Sequence, residues 1–488
     1  MKLLRTALFA TFSLSIIVAS GCGGVFDSIF GDGDDTPAGS GGPNGPLGFG
    51  DIDGGADAKP CTNLCLQQKR CANGGTTSLS GTVMDPAGKV PLYNVLVYVP
   101  NAPVAPISGG ATCDRCGSVS GDPLVTAITG VDGKFKLENV PVGENIPLVV
   151  QIGKWRRQLV IPNVAECTDT PLDAEQIRLP RRKSEGDIPQ IALTTGGADV
   201  MECWLRKVGL ADEEFTVGSG NGKVHFYAGS GPDVTTSFQG GASFTSAQEF
   251  WSSQDNLMKY DIVILSCEGI TSPQTKPPAA LEAMKQYANA GGRIFASHWH
   301  RFWFNTASRG NIEPAGPQPS PFEPMATWRD RGEPSDPSYG TINTSFPKGQ
   351  AMHDWLAQPS VQALCPIPGL CNNANQNDKL RIEQPRHNVD AVDPNRATSW
   401  ITVPNGQNTA HQYISFNTPI PAPEDQKCGR VVYSDLHVTT DDQHGAWPSG
   451  CRTADLTPQE KALEFMLFDL SSCIQSDRDP PAPPPGVN

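Results

Sequence analysis

Tyr260-Asp261-Ile262-Val263-Ile264-Leu265-Ser266-Cys267-Glu268-Gly269 (YDIVILSCEG) is the stretch that decides the fold. Ile262 to Leu265 is apolar without a break. A strand with one wet face would alternate, so this one reads as buried on both faces, as parallel sheets require. The flanks repeat the logic outward. Residues 191–195 read as an apolar strand ending in Gly196-Gly197. Asp199 is expected to cap a helix running to Gly209, with Val200, Cys203, Trp204 and Val208 inward. Residues 223–228 read as a strand and 246–259 as helix; 279–290 is a helix stopped by Gly291-Gly292. Residues 293–297 are the fourth strand, followed by a Pro-rich insertion to about Phe346. Later strands are expected at 379–383, 413–416 and 430–434. Thr457-Pro458-Gln459-Glu460 then opens a final helix with a capping residue, a Pro at its first position and a Glu at its third. The alternation predicts an α/β doubly wound, mostly parallel sheet over residues 185–476.

Upstream the pattern is β only. Strands are expected at 78–83, 95–99, 127–129, 134–137, 146–152 and 158–161, with a hairpin signal at Asp132-Gly133. Short strands with regular turns predict a β-sandwich over residues 60–180. The chain is therefore expected to be multidomain. The basic segment Arg178, Pro180, Arg181, Arg182 and Lys183 reads as the linker between two separately folding units. Six cysteines in the first region (61, 65, 71, 113, 116 and 167) allow three disulfides. Zinc at the Cys113-x2-Cys116 pair is the weaker reading, because exported thiols oxidise and no second such pair follows.

The full chain has 488 residues with 50 Gly and 44 Pro, which signals many loops. Its net charge of -14 argues against nucleic acid as a partner. A positive tip (Lys2, Arg5) and an apolar run to Val18 read as an export signal over residues 1–21. Residues 22–59 are a Gly-, Asp- and Pro-rich tether expected to be disordered, and residues 477–488 a Pro-rich tail of the same kind.

Unusual polar residues fall at the carboxyl ends of the predicted strands, where open parallel sheets bind ligands. They are Thr195, Gly196 and Gly197; Cys267 and Glu268; His298, Trp299 and His300; and Asp435 and His437. Three chemistries compete. His298 and His300, with His437 and Asp435, offer a nitrogen and oxygen ligand set for zinc. Cys267 offers a nucleophile activated by a histidine, with Glu268 orienting it. The third reading is a polar strand edge with satisfied hydrogen bonds. Thr195, Gly196, Gly197, Trp299 and Asp435 would line a crevice for a small polar ligand. Cys267 is singled out by subtraction: Cys365 and Cys371 share a loop, Cys428 and Cys451 flank the last strand, and Cys203 is expected near Cys473.

Four resemblances add to this. "SGTVMDPAGKVPLYNVLVYV" with "GVDGKFKLENVPVGENIPLVVQIGKW" resembles the carboxypeptidase regulatory-like domain, a noncatalytic prealbumin-like sandwich. Its wider fold group implies carbohydrate binding, for which Trp155, Arg156 and Arg157 would form the surface. "YDIVILSCEG", "YANAGGRIFASHWH" and "CGRVVYSDLHV" resemble the class I glutamine amidotransferase-like superfamily in its trehalose-utilisation-like branch. That superfamily places its cysteine at the turn after the fourth strand, where this chain has Ser297-His298, so glutamine hydrolysis is not implied. Ala19-Ser20-Gly21-Cys22 resembles the bacterial lipobox, which implies lipidation at Cys22 and an envelope protein anchored by lipid, with Gly23 pointing to the outer membrane. An envelope protein of this kind is expected to bind a small polar ligand or carbohydrate, or peptidoglycan-like material, and to be a binding protein more than an enzyme. The alternative is a metal-dependent hydrolase acting on carbohydrate or peptide material. "GGADVMECW" resembles part of tryptophan synthase alpha chains, but the Trp204-Leu205-Arg206-Lys207 continuation and the lack of eight βα repeats oppose a barrel lyase.

Overall fold

Thr129 fixes the layout of the first region. Its hydroxyl donates to the Leu92 carbonyl (2.5 Å) and accepts from the Val95 amide (2.9 Å). The preceding strand is thereby tied to one sheet before the Asp132-Gly133 turn sends the chain to another. The expected hairpin is thus a crossover. Pro123–Ile128, Leu96–Pro100, Gly143–Ile152 and Trp155–Val164 form a four-stranded antiparallel sheet in that order. Lys134–Glu138, Ser78–Thr82 and Asp169–Pro171 form a three-stranded mixed sheet, the last pair parallel. Val97, Val99, Phe135, Leu137, Leu148 and Val150 bury in one core. The structure, a computed structural model, describes residues 60–117, 119–305, 322, 325–365, 378–438, 447–452 and 454–483. The expected signal, Cys22, the tether, Cys371 and residues 484–488 lie outside the described residues.

In the second region five parallel strands lie in the order Val224–Ala228, Ile191–Thr194, Ile262–Leu265, Arg293–Ser297, Gly429–Ser434. Counted along the chain this is 2-1-3-4-5, which reverses direction between the first and third strands. Alternate side chains enter two cores. Ile262 and Ile264 join Met201, Trp204, Leu463 and Met466, whereas Val263 and Leu265 join Phe250, Met284 and Tyr287. Helices Met201–Val208 and Pro458–Ser471 therefore cover one face and Pro278–Asn289 the other. This is why the decisive stretch has no polar position inside its strand.

Local chemistry explains two departures. The helix expected over 246–259 is two helices, Ala247–Phe250 and Gln254–Leu257, because Ser253 accepts from the Asn256 amide and starts a new one. Antiparallel strands Asn408–Thr418, Thr398–Asn405, Ser338–Ile342 and Leu380–Ile382 extend the sheet. Of these, Ser338–Ile342 lies in the stretch read as an insertion. Thr398–Asn405 escapes a period-two reading because register shifts at Ser399–Thr402 break its alternation. The final helix has the expected capping box, with Thr457 and Glu460 bonded reciprocally.

The two regions share one core. Trp155 meets Phe468 edge-on, Tyr93 stacks on Phe465, and Trp355 Nε1 donates to the Pro91 carbonyl (2.6 Å). The Gly153 turn packs so close to the final helix that a Cβ there would lie 1.8 Å from the Ser471 carbonyl oxygen. Disulfides join Cys61–Cys65, Cys71–Cys167, Cys113–Cys428, Cys116–Cys473 and Cys203–Cys451. Cys473 thus pairs with Cys116 and not Cys203, and Cys428 and Cys451 take different partners. Cys113 and Cys116 are both oxidised, which removes the zinc reading of that pair. The described residues of both regions belong to one compact unit. The Arg181-Arg182-Lys183 segment is no free linker: Arg178 grips Glu185 with two hydrogen bonds, and the Arg181 carbonyl accepts from Ala211. Asp477, expected in a disordered tail, is buried and paired with Arg430 (2.7 Å) and Lys348 (3.4 Å).

Candidate functional site

Three parallel strands end beside one another at their carboxyl edge. Cys267 lies just beyond Ile262–Leu265, His298 beyond Arg293–Ser297, and His437 beyond Gly429–Ser434. Cys267 Sγ is 3.7 Å from His298 Nδ1 and 3.6 Å from His437 Nε2, and the two nitrogens are 3.1 Å apart. The three residues are 0, 3 and 7 % exposed. Among the described residues no other trio of His, Cys, Asp or Glu donors lies this close, and no fourth donor joins these.

That triangle has a chemical meaning. A tetrahedral zinc with bonds of about 2.0–2.1 Å to nitrogen and about 2.3 Å to sulfur holds its nitrogens about 3.3 Å apart, and sulfur about 3.6 Å from each. The observed separations match one face of that tetrahedron. His437 Nδ1 lies 2.9 Å from Gln384 Oε1 and 3.3 Å from the Arg386 guanidinium. In the tautomer that donates from Nδ1 to Gln384, the Nε2 lone pair faces the trio, the arrangement that orients metal-binding histidines.

Cys267 does not suit unaided nucleophilic catalysis. Burial and then the negative charge of Asp199 push its thiol up, opposed by the backbone N–H groups of Trp299 and Gly269. A thiol held protonated is a poor nucleophile, whereas a metal ion deprotonates it on binding. Glu268 does not orient a histidine. It pairs with Lys276 (2.6 Å), both fully buried, and accepts from the Ser230 amide (2.9 Å). Burial pushes Glu268 up and Lys276 down. The pair braces the loop behind Cys267.

His300 leaves the expected metal set. Its Nε2 donates to the Ser266 carbonyl (2.9 Å) and its Nδ1 accepts from Trp303 Nε1 (3.1 Å). Burial and the nearby Lys276 charge hold it neutral. The reason is local: the chain leaves strand geometry at His298, whose φ is +21°, and enters a short 3-10 turn over His298–Trp303. Residues two apart no longer share a face there.

The expected crevice residues have other roles. Thr195 is buried and donates to the Thr235 carbonyl (2.7 Å). A Cβ on Gly196 would lie 2.4 Å from the Cys267 carbonyl oxygen, and one on Gly197 2.0 Å from that of Pro232. These glycines permit close backbone packing. Trp299 is half-buried, with the His298 ring tilted against it (4.5 Å) and the Arg301 guanidinium over its ring (5.3 Å). Asp435 is buried, accepts from the Asn388 amide (2.6 Å) and Tyr433 Oη (2.9 Å), and is pushed up to about 7 by burial. It holds the 384–388 segment in place. Trp155 and Arg156 are buried, with Arg156 bound to Asp187 (2.8 Å), so the expected sugar-stacking surface does not form.

Sequence reading missed Gln384 and misread Asp199. Gln384 is brought beside His437 by a bridge between Pro385 and Leu436, more than 50 residues apart, with no local signal. Asp199 does not cap the first helix; Val200 holds that position without a side-chain bond. Asp199 accepts from Ser297 Oγ and from the Val438 amide (2.8 Å).

No family model matches the chain, and no curated protein matches it in sequence. Among solved structures, a cytoplasmic protein from Salmonella typhimurium is 14% identical, with 58% of this chain and 98% of that one covered at a TM-score of 0.29. A ThuA-like protein from Bacteroides uniformis is 10% identical over 57% of this chain and 88% of that one, with a TM-score of 0.28. A cohesin–X-dockerin complex from Acetivibrio cellulolyticus is 15% identical over 30% of this chain and 79% of that one, with a TM-score of 0.15. At these scores the likenesses carry no weight; the architecture above rests on strand register and burial.

Proposed function

We propose that this chain is an envelope lipoprotein, anchored through Cys22, in which Cys267, His298 and His437 hold one zinc-class divalent ion. The role that follows is a metal-dependent hydrolase acting on carbohydrate or peptide material. In this reading the first region is a β-sandwich of the carboxypeptidase regulatory-like kind. The second is a doubly wound domain of the trehalose-utilisation-like kind. The observation that carries it is the donor triangle of 3.1, 3.6 and 3.7 Å at the carboxyl ends of three adjacent parallel strands. Three protein ligands, and not four, are the pattern of catalytic rather than structural zinc, which supplies a Lewis acid for hydrolysis. The chain's own contribution is to keep the donors dry and to orient His437 through Gln384. The disulfides support an oxidising compartment outside the cytoplasm.

Burial of all three donors favours a second reading, in which the bound ion serves ligand binding without turnover. Elemental analysis of the oxidised, detergent-purified protein tests the centre: about one equivalent of metal is expected, and it should be lost in Cys267→Ser, His298→Ala and His437→Ala. A metal-free wild type after growth with zinc overturns the centre. Metal-loaded protein inactive on ester, glycoside and peptidoglycan substrates favours the second reading. Cys22→Ser should move the protein from the detergent phase to the aqueous phase, because the acyl chains supply about 0.8 kcal/mol per buried CH₂.

A further inference from the structure

The loop Gly196-Gly197-Ala198-Asp199, which follows the first parallel strand, is hydrogen-bonded to all three donor segments. The Ala198 amide donates to the Cys267 carbonyl (2.9 Å). Asp199 Oδ2 accepts from Ser297 Oγ, one residue before His298. Asp199 Oδ1 accepts from the amide of Val438, one residue after His437 (2.8 Å). Asp199 is wholly buried. We propose that Asp199 is the positioning residue of this centre: its carboxylate sets the separation of His298 and His437, while the loop that carries it holds Cys267 in register. The inference rests on the metal reading above.

Both carboxylate oxygens accept a hydrogen bond. Ser297 and Val438 sit on adjacent parallel strand ends, and each donates to a different oxygen of one carboxylate. A planar group of fixed width between them acts as a spacer. An asparagine can keep both contacts, with Oδ1 accepting from the Val438 N–H and Nδ2 donating to the Ser297 hydroxyl, so it removes only the charge. An alanine removes both bonds and the spacer, and the two imidazoles are free to drift. A drift of a few tenths of an ångström is enough to spoil a tetrahedral face whose edges are near 3.3 Å. The carboxylate also places negative charge near Cys267 Sγ, which favours a cation there. Gly196 and Gly197 serve the same end, since only glycine lets this loop lie against the Cys267–Glu268 and Pro232 carbonyls.

Cobalt(II) titration of the full-length, disulfide-intact protein in detergent reads this directly, because a thiolate–cobalt band reports Cys267 and the visible d–d bands report coordination geometry. Wild type is expected to show both. Asp199→Ala should bind cobalt about 10–100-fold more weakly, as loss of an outer-shell partner does, with shifted d–d bands. Ser297→Ala should show a smaller loss in the same direction, and it decides the matter if Asp199→Ala does not fold. A wild type without thiolate–cobalt absorption overturns the metal reading itself. Wild-type bands reproduced at unchanged affinity in the variants, with metal-free and loaded forms destabilised equally, overturn the positioning role alone.

Discussion

His298 Nδ1 and His437 Nε2 lie 3.1 Å apart, although 139 residues of chain separate them. Two imidazole nitrogens at this distance must share either a proton or a cation. Cys267 on the same side of both turns the pair into a three-donor face. Each donor stands on its own parallel strand end, so the sheet brings the three together.

His300 and His437 should therefore respond differently to substitution. His437→Ala removes a donor and should abolish stoichiometric metal while sparing the fold. His300→Ala removes a buried side chain whose two nitrogens are both bonded within the protein, and should lower stability by about 1–3 kcal/mol without loss of metal. Metal content and urea unfolding measured on the same samples separate the two.

Gly196→Ala should destabilise the protein by about 1–3 kcal/mol, because the new methyl meets main-chain carbonyl and not a side chain that can swing away. Gly332→Ala, where nothing lies within 4 Å, is the matched control and should be near neutral. Equal unfolding midpoints for the two variants would show that the Gly196 loop relaxes.

The contact between the two regions contains a buried carboxyl pair, Asp85 and Glu464. Burial pushes Asp85 up from 3.8 to about 6, with Lys89 opposing, and pushes Glu464 well above its usual range, with Asp85 adding to it and Lys461 opposing. Both folded-state values are raised, so the folded form binds protons more tightly than the unfolded one. The Asp85 contribution to stability is complete below pH 3.8 and lost as pH rises through about 6. Urea unfolding should show a decline in stability over that window which Asp85→Asn flattens. An unchanged slope in the variant refutes the assignment.

Proteolytic cleavage near Arg181–Lys183 should not separate the two regions. Cys113–Cys428 and Cys116–Cys473 cross the junction, so cut protein should run as one species until reduced. Two fragments on a non-reducing gel would contradict both bridges.

Local pattern was enough for much of this. An unbroken apolar run marks a strand buried on both faces, and Thr457-Pro458-Gln459-Glu460 carries its own helix start, because strand burial and capping act within a few residues. The same holds for the idea that Cys267, His298 and His437 stand at strand ends. What local pattern could not decide was which atoms face each other. His300 is lost to the metal set by one turn of backbone, at His298. Glu268 is claimed by Lys276, and Asp199 leaves its helix to bridge Ser297 and Val438. Cys113 and Cys116, neighbours in sequence, find partners more than 300 residues away. Those outcomes depend on strand order and on the packing of two regions into one core. Only the folded chain sets them, because sheet pairing brings together residues whose separation along the sequence holds no information about their separation in space.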